Sequence, residues 1–95
     1  MESSPQVARR IVARGHVQGV WFRGSARQVA MRNGVTGWIV NRPDGAVEAW
    51  IEGTPDAVET VEAWFHAGGP PSAVVEDLDV EPVEPEEHEE FVILR

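Results

Sequence analysis

Residues 36–52, TGWIVNRPDGAVEAWIE, constrain the possible folds more than any other stretch. Two short apolar runs flank Arg42-Pro43-Asp44-Gly45, with proline at the second turn position and glycine at the fourth, as a type I turn favours. The second run sets Val47, Ala49 and Ile51 against Glu48 and Glu52. That alternation is the mark of a half-buried strand. Strands are predicted over 36–41 and 46–52, with Trp50 on the open face of the sheet.

Helical and strand patterns surround this pair. VARRIVAR (7–14) predicts a strand ending at Gly15. Phe22, Ala26, Val29, Ala30 and Asn33 recur at helical spacing and Gly34 follows, which predicts a helix over 22–33. Thr54 can cap a second helix with Pro55 at its first position. Val58, Val61, Trp64 and Phe65 give it an apolar face, with Glu59 and Glu62 directed away, and GGPP (68–71) ends it. Further strands are predicted over 73–80 and 91–94.

The order β-α-β-β-α-β plus a short fifth strand predicts an α+β, ferredoxin-like two-layer sandwich. Two helices would cover one face of a mostly antiparallel sheet. The first and second strands would run parallel, with the third between them in the opposite sense. The loop after the first strand and Asn41, at the end of the second, should then meet at one sheet edge.

The chain has 95 residues, enough for one domain, expected over 7–95 after a loose tail at 1–6. No apolar run approaches the ~20 residues of a membrane span, and no secretion signal is read at the start. Without cysteine there is no thiolate metal site or cysteine nucleophile, and cytoplasmic residence is expected. Without lysine, Schiff-base chemistry is excluded.

Charge is segregated. Residues 1–42 hold seven arginines and one acid, a formal +6; residues 43–95 hold one arginine and fifteen acids, a formal −14. The net −8 disfavours nucleic acid as a partner, whereas a local basic region suits a small anion. The acidic run EPVEPEEHEE (81–90) is expected to be a solvated loop, with His88 and His66 in solvent.

GHVQGVWFR (15–23) stands between the first strand and the first helix. Gly15 and Gly19 permit the curvature of an anion nest. The helix start adds its dipole and free N–H groups, and Arg23 adds a fork that matches a phosphate or carboxylate. Taken alone, the same residues fit an ordinary turn and a surface charge better than an anion site. The glycine-lysine end of a Walker loop is missing.

GHVQGVWFR resembles the acylphosphatase signature G-x-V-Q-G-V-x-F-R. GWIVNRPDGAVE (37–48) resembles the second signature of that family, G-W-V-x-N-x-x-D-G-x-V-E, with Ile39 for the first valine. The resemblance extends from Val7 to Arg95. It implies hydrolysis of small acyl phosphates to a carboxylate and inorganic phosphate, with no metal or other cofactor, by a monomer. It places the phosphate-binding loop on Gly15, His16, Val17, Gln18, Gly19 and Val20, the catalytic arginine on Arg23 and the catalytic asparagine on Asn41. Gln18 is expected to shape the loop. Ala26 and Arg27 stand where the family often has threonine and glutamine, which puts the rate in question. Trp21, Trp38 and Trp64 are expected to pack internally.

Such chemistry needs few parts. A carboxylate is a good leaving group, so positioning water and stabilising charge on phosphoryl oxygens suffice. An asparagine amide orients water without repelling phosphate, but is no strong base. The alternative reading is a non-catalytic anion-binding or regulatory domain of the same fold. An RNA-recognition module lacks support, because AVEAWIEG is acidic and without the stacking pattern.

Overall fold

The computed structural model describes residues 5–95. The predicted tail at 1–6 thus lies largely outside the described residues; Pro5 and Gln6 are exposed. The elements are β1 (Val7–His16), α1 (Phe22–Arg32), β2 (Thr36–Asn41), β3 (Val47–Gly53), α2 (Pro55–His66), β4 (Val74–Val83) and β5 (Phe91–Ile93). They form one sheet of order β4-β1-β3-β2-β5. Strand β1 is antiparallel to β3 and β4, β2 is antiparallel to β3, and β5 joins the outer side of β2 in parallel. This is the predicted ferredoxin-like α+β fold. β1 and β2 flank β3 and end at the same sheet edge.

The β2–β3 connection follows its sequence closely. The Gly45 amide donates to the Arg42 carbonyl at 3.1 Å, and the Arg42 amide donates to Ala46 at 2.8 Å. The Asp44 carboxylate accepts the Ala46 amide at 3.0 Å. That bond, with the nearby Arg42 guanidinium, holds the Asp44 carboxyl below its usual range.

Helix α1 buries Phe22, Ala26 and Ala30, and α2 buries Val58, Val61 and Phe65. The Thr54 hydroxyl accepts the Ala57 amide at 3.4 Å and caps α2, with Pro55 at its first position. Both stripes close on Ile11, Ala13, Ile39, Val47, Ala49 and Ile51 from the sheet. Phe22 meets Trp64 edge-on at 5.3 Å and Phe65 at 5.7 Å, so the first helical residue anchors both helices together.

The opposite sheet face departs from expectation. Glu52 does not point into solvent; it is 2% exposed. Its carboxylate accepts the Trp50 indole N–H at 3.0 Å and the amides of Glu86 and His88 at 2.9 and 3.0 Å. Residues 81–83 extend β4 instead of lying in the predicted loop, and 84–90 cross this face as a strap whose glutamate side chains stay exposed, as expected. Trp50 lies on the open face as predicted, but is buried between Trp38 and His88, with centroids at 6.3 and 6.0 Å. His88 is correspondingly only half-exposed. Glu62 is half-buried and pairs with Arg9 of β1 at 3.7 Å. His66 is exposed, as expected, and meets Glu62 at 3.1 Å.

Candidate active site

Strand β1 continues through His16, whose partner on β4 is Val74. Gly15 and His16 are thus strand residues, and the connection to α1 comprises Val17 to Trp21. Gly15 lies at a register shift against β4 with φ +130°, where a Cβ would collide with the Val74 carbonyl oxygen. Close approach of two strands explains this glycine.

The connecting loop is fastened from one side. The Gln18 side-chain nitrogen donates to the carbonyls of Arg42 at 2.8 Å and Ala46 at 2.9 Å. This amide spends both its hydrogens on the β2–β3 hairpin, as its expected shaping role requires. Val17 is buried in the core. Gly19 has φ +75°, with nothing within 4 Å of a Cβ placed there. Among the described residues, no amide of Gln18, Gly19, Val20 or Trp21 donates to a backbone carbonyl. Helix α1 begins at once, with no side chain capping its N-terminus. A run of N–H groups at a helix start is a natural oxyanion cradle.

A cleft of about 400 Å³ opens at this junction, lined by Val17, Gly19, Trp21, Phe22, Arg23 and Gly24, with Asn41, Ile93 and Arg95. Arg23 and Asn41 are thereby brought to one cleft from elements nearly twenty residues apart in sequence. The Arg23 guanidinium donates to the Leu94 carbonyl at 3.5 Å, just beyond β5. Arg27, one turn on, donates to the Phe91 carbonyl at 3.1 Å. The arginine that replaces the expected glutamine therefore ties α1 to β5. Of the residues expected to bind phosphate, Gly15, His16, Gln18 and Val20 do not line the cleft.

Trp21, Ile93 and Arg95 line the cleft unannounced by the sequence reading. Trp21 was expected to pack; it is 71% exposed. Its place just before the buried Phe22 was the available clue. Nothing local signals Ile93 or Arg95, since β5 reaches the cleft only by pairing with β2.

The fold and cleft together define a ferredoxin-like α+β domain with an arginine-bearing cleft at the end of its first strand. A family model described as Acylphosphatase matches residues 9–93. An acylphosphatase of Nostoc sp. is 47% identical over 96 residues, covering 98% of this chain and 94% of that relative. The crystal structure of the Bacillus subtilis acylphosphatase superposes with TM-score 0.89 at 33% identity, covering 94% of this chain and 99% of that one. A similar unit also forms 12% of full-length HypF, crystallised in a phosphate- and nucleotide-bound form, with TM-score 0.92, 26% identity and 99% of this chain covered. The chain belongs to the acylphosphatase family. Its reaction is hydrolysis of an acyl phosphate to a carboxylate and inorganic phosphate.

Proposed function

We propose that the phosphoryl group of a small acyl phosphate is held by the backbone amides of the β1–α1 loop and by Arg23, and that Asn41 positions the attacking water. The observation that carries this is the shared cleft: Gly19, Arg23 and Asn41 line one space, although they come from a loop, a helix and a strand. The uncapped start of α1 supplies donors and the positive end of its dipole. Gln18 and Val20 contribute their backbone amides, unpaired among the described residues, to this cradle, and Gly15 and His16 lead β1 into it.

In this reading water adds to phosphorus as the bond from phosphorus to the acyl oxygen breaks. The carboxylate leaves with the bonding electrons, and both water protons end on the phosphate product. The reaction thus balances without a protein base. Arg23 and the amides stabilise charge on the equatorial oxygens, and Asn41 holds the water in line. The step is taken to need no metal and the chain to act as a monomer, in the cytoplasm as a cysteine-free composition suits.

The test is phosphate release from acetyl phosphate and from an alkyl phosphate monoester, each with and without a chelator. Hydrolysis of the acyl phosphate alone, indifferent to chelation, is expected. Preference for the monoester, or loss of activity restored by magnesium, refutes the reading.

A further inference from the structure

We propose that Trp21 is the acyl-recognition wall of the cleft, so that this chain selects acyl phosphates bearing a flat, aromatic acyl group over those bearing a short aliphatic one. This rests on the phosphate site proposed above and assigns what lies beside it.

Three features of Trp21 coincide. It is the most exposed of the large apolar side chains among the described residues. Its φ of 65° is left-handed, a conformation that bulky residues rarely adopt and that collects at functional sites. It also has a made seat. A Cβ on Gly24 would lie 2.6 Å from Cε2 of the indole and 2.7 Å from Cζ2. The ring rests on the first turn of α1 only because residue 24 has no side chain. Glycine is a poor choice inside a helix, so the seat is gained against local propensity.

The other three tryptophans have aromatic partners: Trp38 with Trp50, and Trp64 with Phe22 and Phe65. Trp21 has none among the described residues, and it lines the cleft together with Arg23. The cleft is also larger than a phosphate needs. Its volume of about 400 Å³ falls among sites that take whole small molecules. With phosphate at the loop and Arg23, the acyl group must occupy the remainder. Trp21 and Ile93 supply apolar lining there, and an indole face rewards a flat apolar group by stacking. Stacking of this kind persists from bound substrate to transition state, so it acts on KM more than on kcat.

The experiment compares kcat/KM for benzoyl phosphate and acetyl phosphate in the wild-type chain, Trp21→Asn and Trp21→Phe. Asparagine tolerates the left-handed backbone, so removal of the ring is separated from strain. The benzoyl-to-acetyl ratio should fall about five- to tenfold in Trp21→Asn, through a raised KM for benzoyl phosphate, as loss of an aromatic contact implies. Trp21→Phe should hold the ratio within about twofold of wild type, because a flat ring remains. Circular dichroism checks the fold, and if Trp21→Asn does not fold, Trp21→Gly replaces it. A ratio unchanged by truncation, or lowered as far in Trp21→Phe, overturns the inference while leaving the phosphate site intact. Absence of hydrolysis of either compound by the wild-type chain overturns the proposed function itself.

Discussion

Gln18 donates its side-chain amide to the Arg42 carbonyl at 2.8 Å, and so fastens the β1–α1 loop to the residue that follows Asn41. A second hydrogen bond to Ala46, at 2.9 Å, makes the link rigid. Two parts of the site that are distant in sequence are set in mutual register by one side chain.

Gln18→Glu is expected to lower both stability and turnover. The carboxylate would face two carbonyl oxygens with no hydrogen to donate, and each would be left with its backbone donor alone. The expected loss is about 1–3 kcal/mol, read as a lower urea midpoint. Phosphate inhibition should weaken as well, because the loop is no longer held. Unchanged midpoint and inhibition would show that the link has no structural weight.

Arg23→Lys is expected to reduce turnover by about 10²–10³, the usual cost of losing a preorganised donor to a developing oxyanion. Lysine keeps the charge but not the planar fork. Arg23 is a helix residue at the cleft, with only a 3.5 Å bond to Leu94, so the thermal midpoint should hardly move. Near-native turnover and phosphate inhibition in this variant would remove Arg23 from the site.

Asn41→Ala separates water positioning from phosphate binding. Turnover should fall by roughly two orders of magnitude, because an unpositioned water forfeits the orientation benefit. Inhibition by inorganic phosphate should persist at similar concentration, since the loop and Arg23 remain. Loss of phosphate inhibition with retained turnover at saturating substrate would instead make Asn41 a binding residue.

Glu52 predicts the acid limb of stability. Burial pushes its carboxyl up, but the amides of Glu86 and His88 and the Trp50 indole outweigh burial and hold it below the ordinary value of 4.5. Its contribution is therefore complete above about pH 4.5 and is lost as pH falls through the lower folded value. Glu52→Gln should cost about 1–3 kcal/mol at neutral pH, because the new amide group faces N–H donors. The gap between wild type and variant should narrow in urea titrations carried into acid. A gap independent of pH would mean that the carboxylate charge does not hold the strap.

Much of the fold was legible in local pattern. The alternation of Val47, Ala49 and Ile51, the Thr54-Pro55 helix start and the Arg42–Gly45 turn each carry their geometry in a few consecutive residues. Strand and helix boundaries followed within a few residues, and the α+β order placed Asn41 at the same sheet edge as the loop. The motifs around Gln18, Arg23 and Asn41 pointed to the reaction through their resemblance to the acylphosphatase signatures.

What local pattern could not carry was which partner each residue would meet. Gly15 reads as a flexible turn residue; only the approach of Val74 on β4 makes it a strand glycine. Glu52 reads as a solvent-facing carboxylate, because alternation reports which face a side chain takes and not what crosses that face. The strap at 84–90 crosses it and turns the charge into a buried acceptor. Trp21 reads as a packing residue, yet it stands exposed at the cleft, with a left-handed backbone at the helix start and its ring over the bare Gly24. Periodicity and turn chemistry act within a few residues and were settled by the sequence alone; burial and contact depend on chain segments that meet only when the sheet closes, and the tertiary structure decided those.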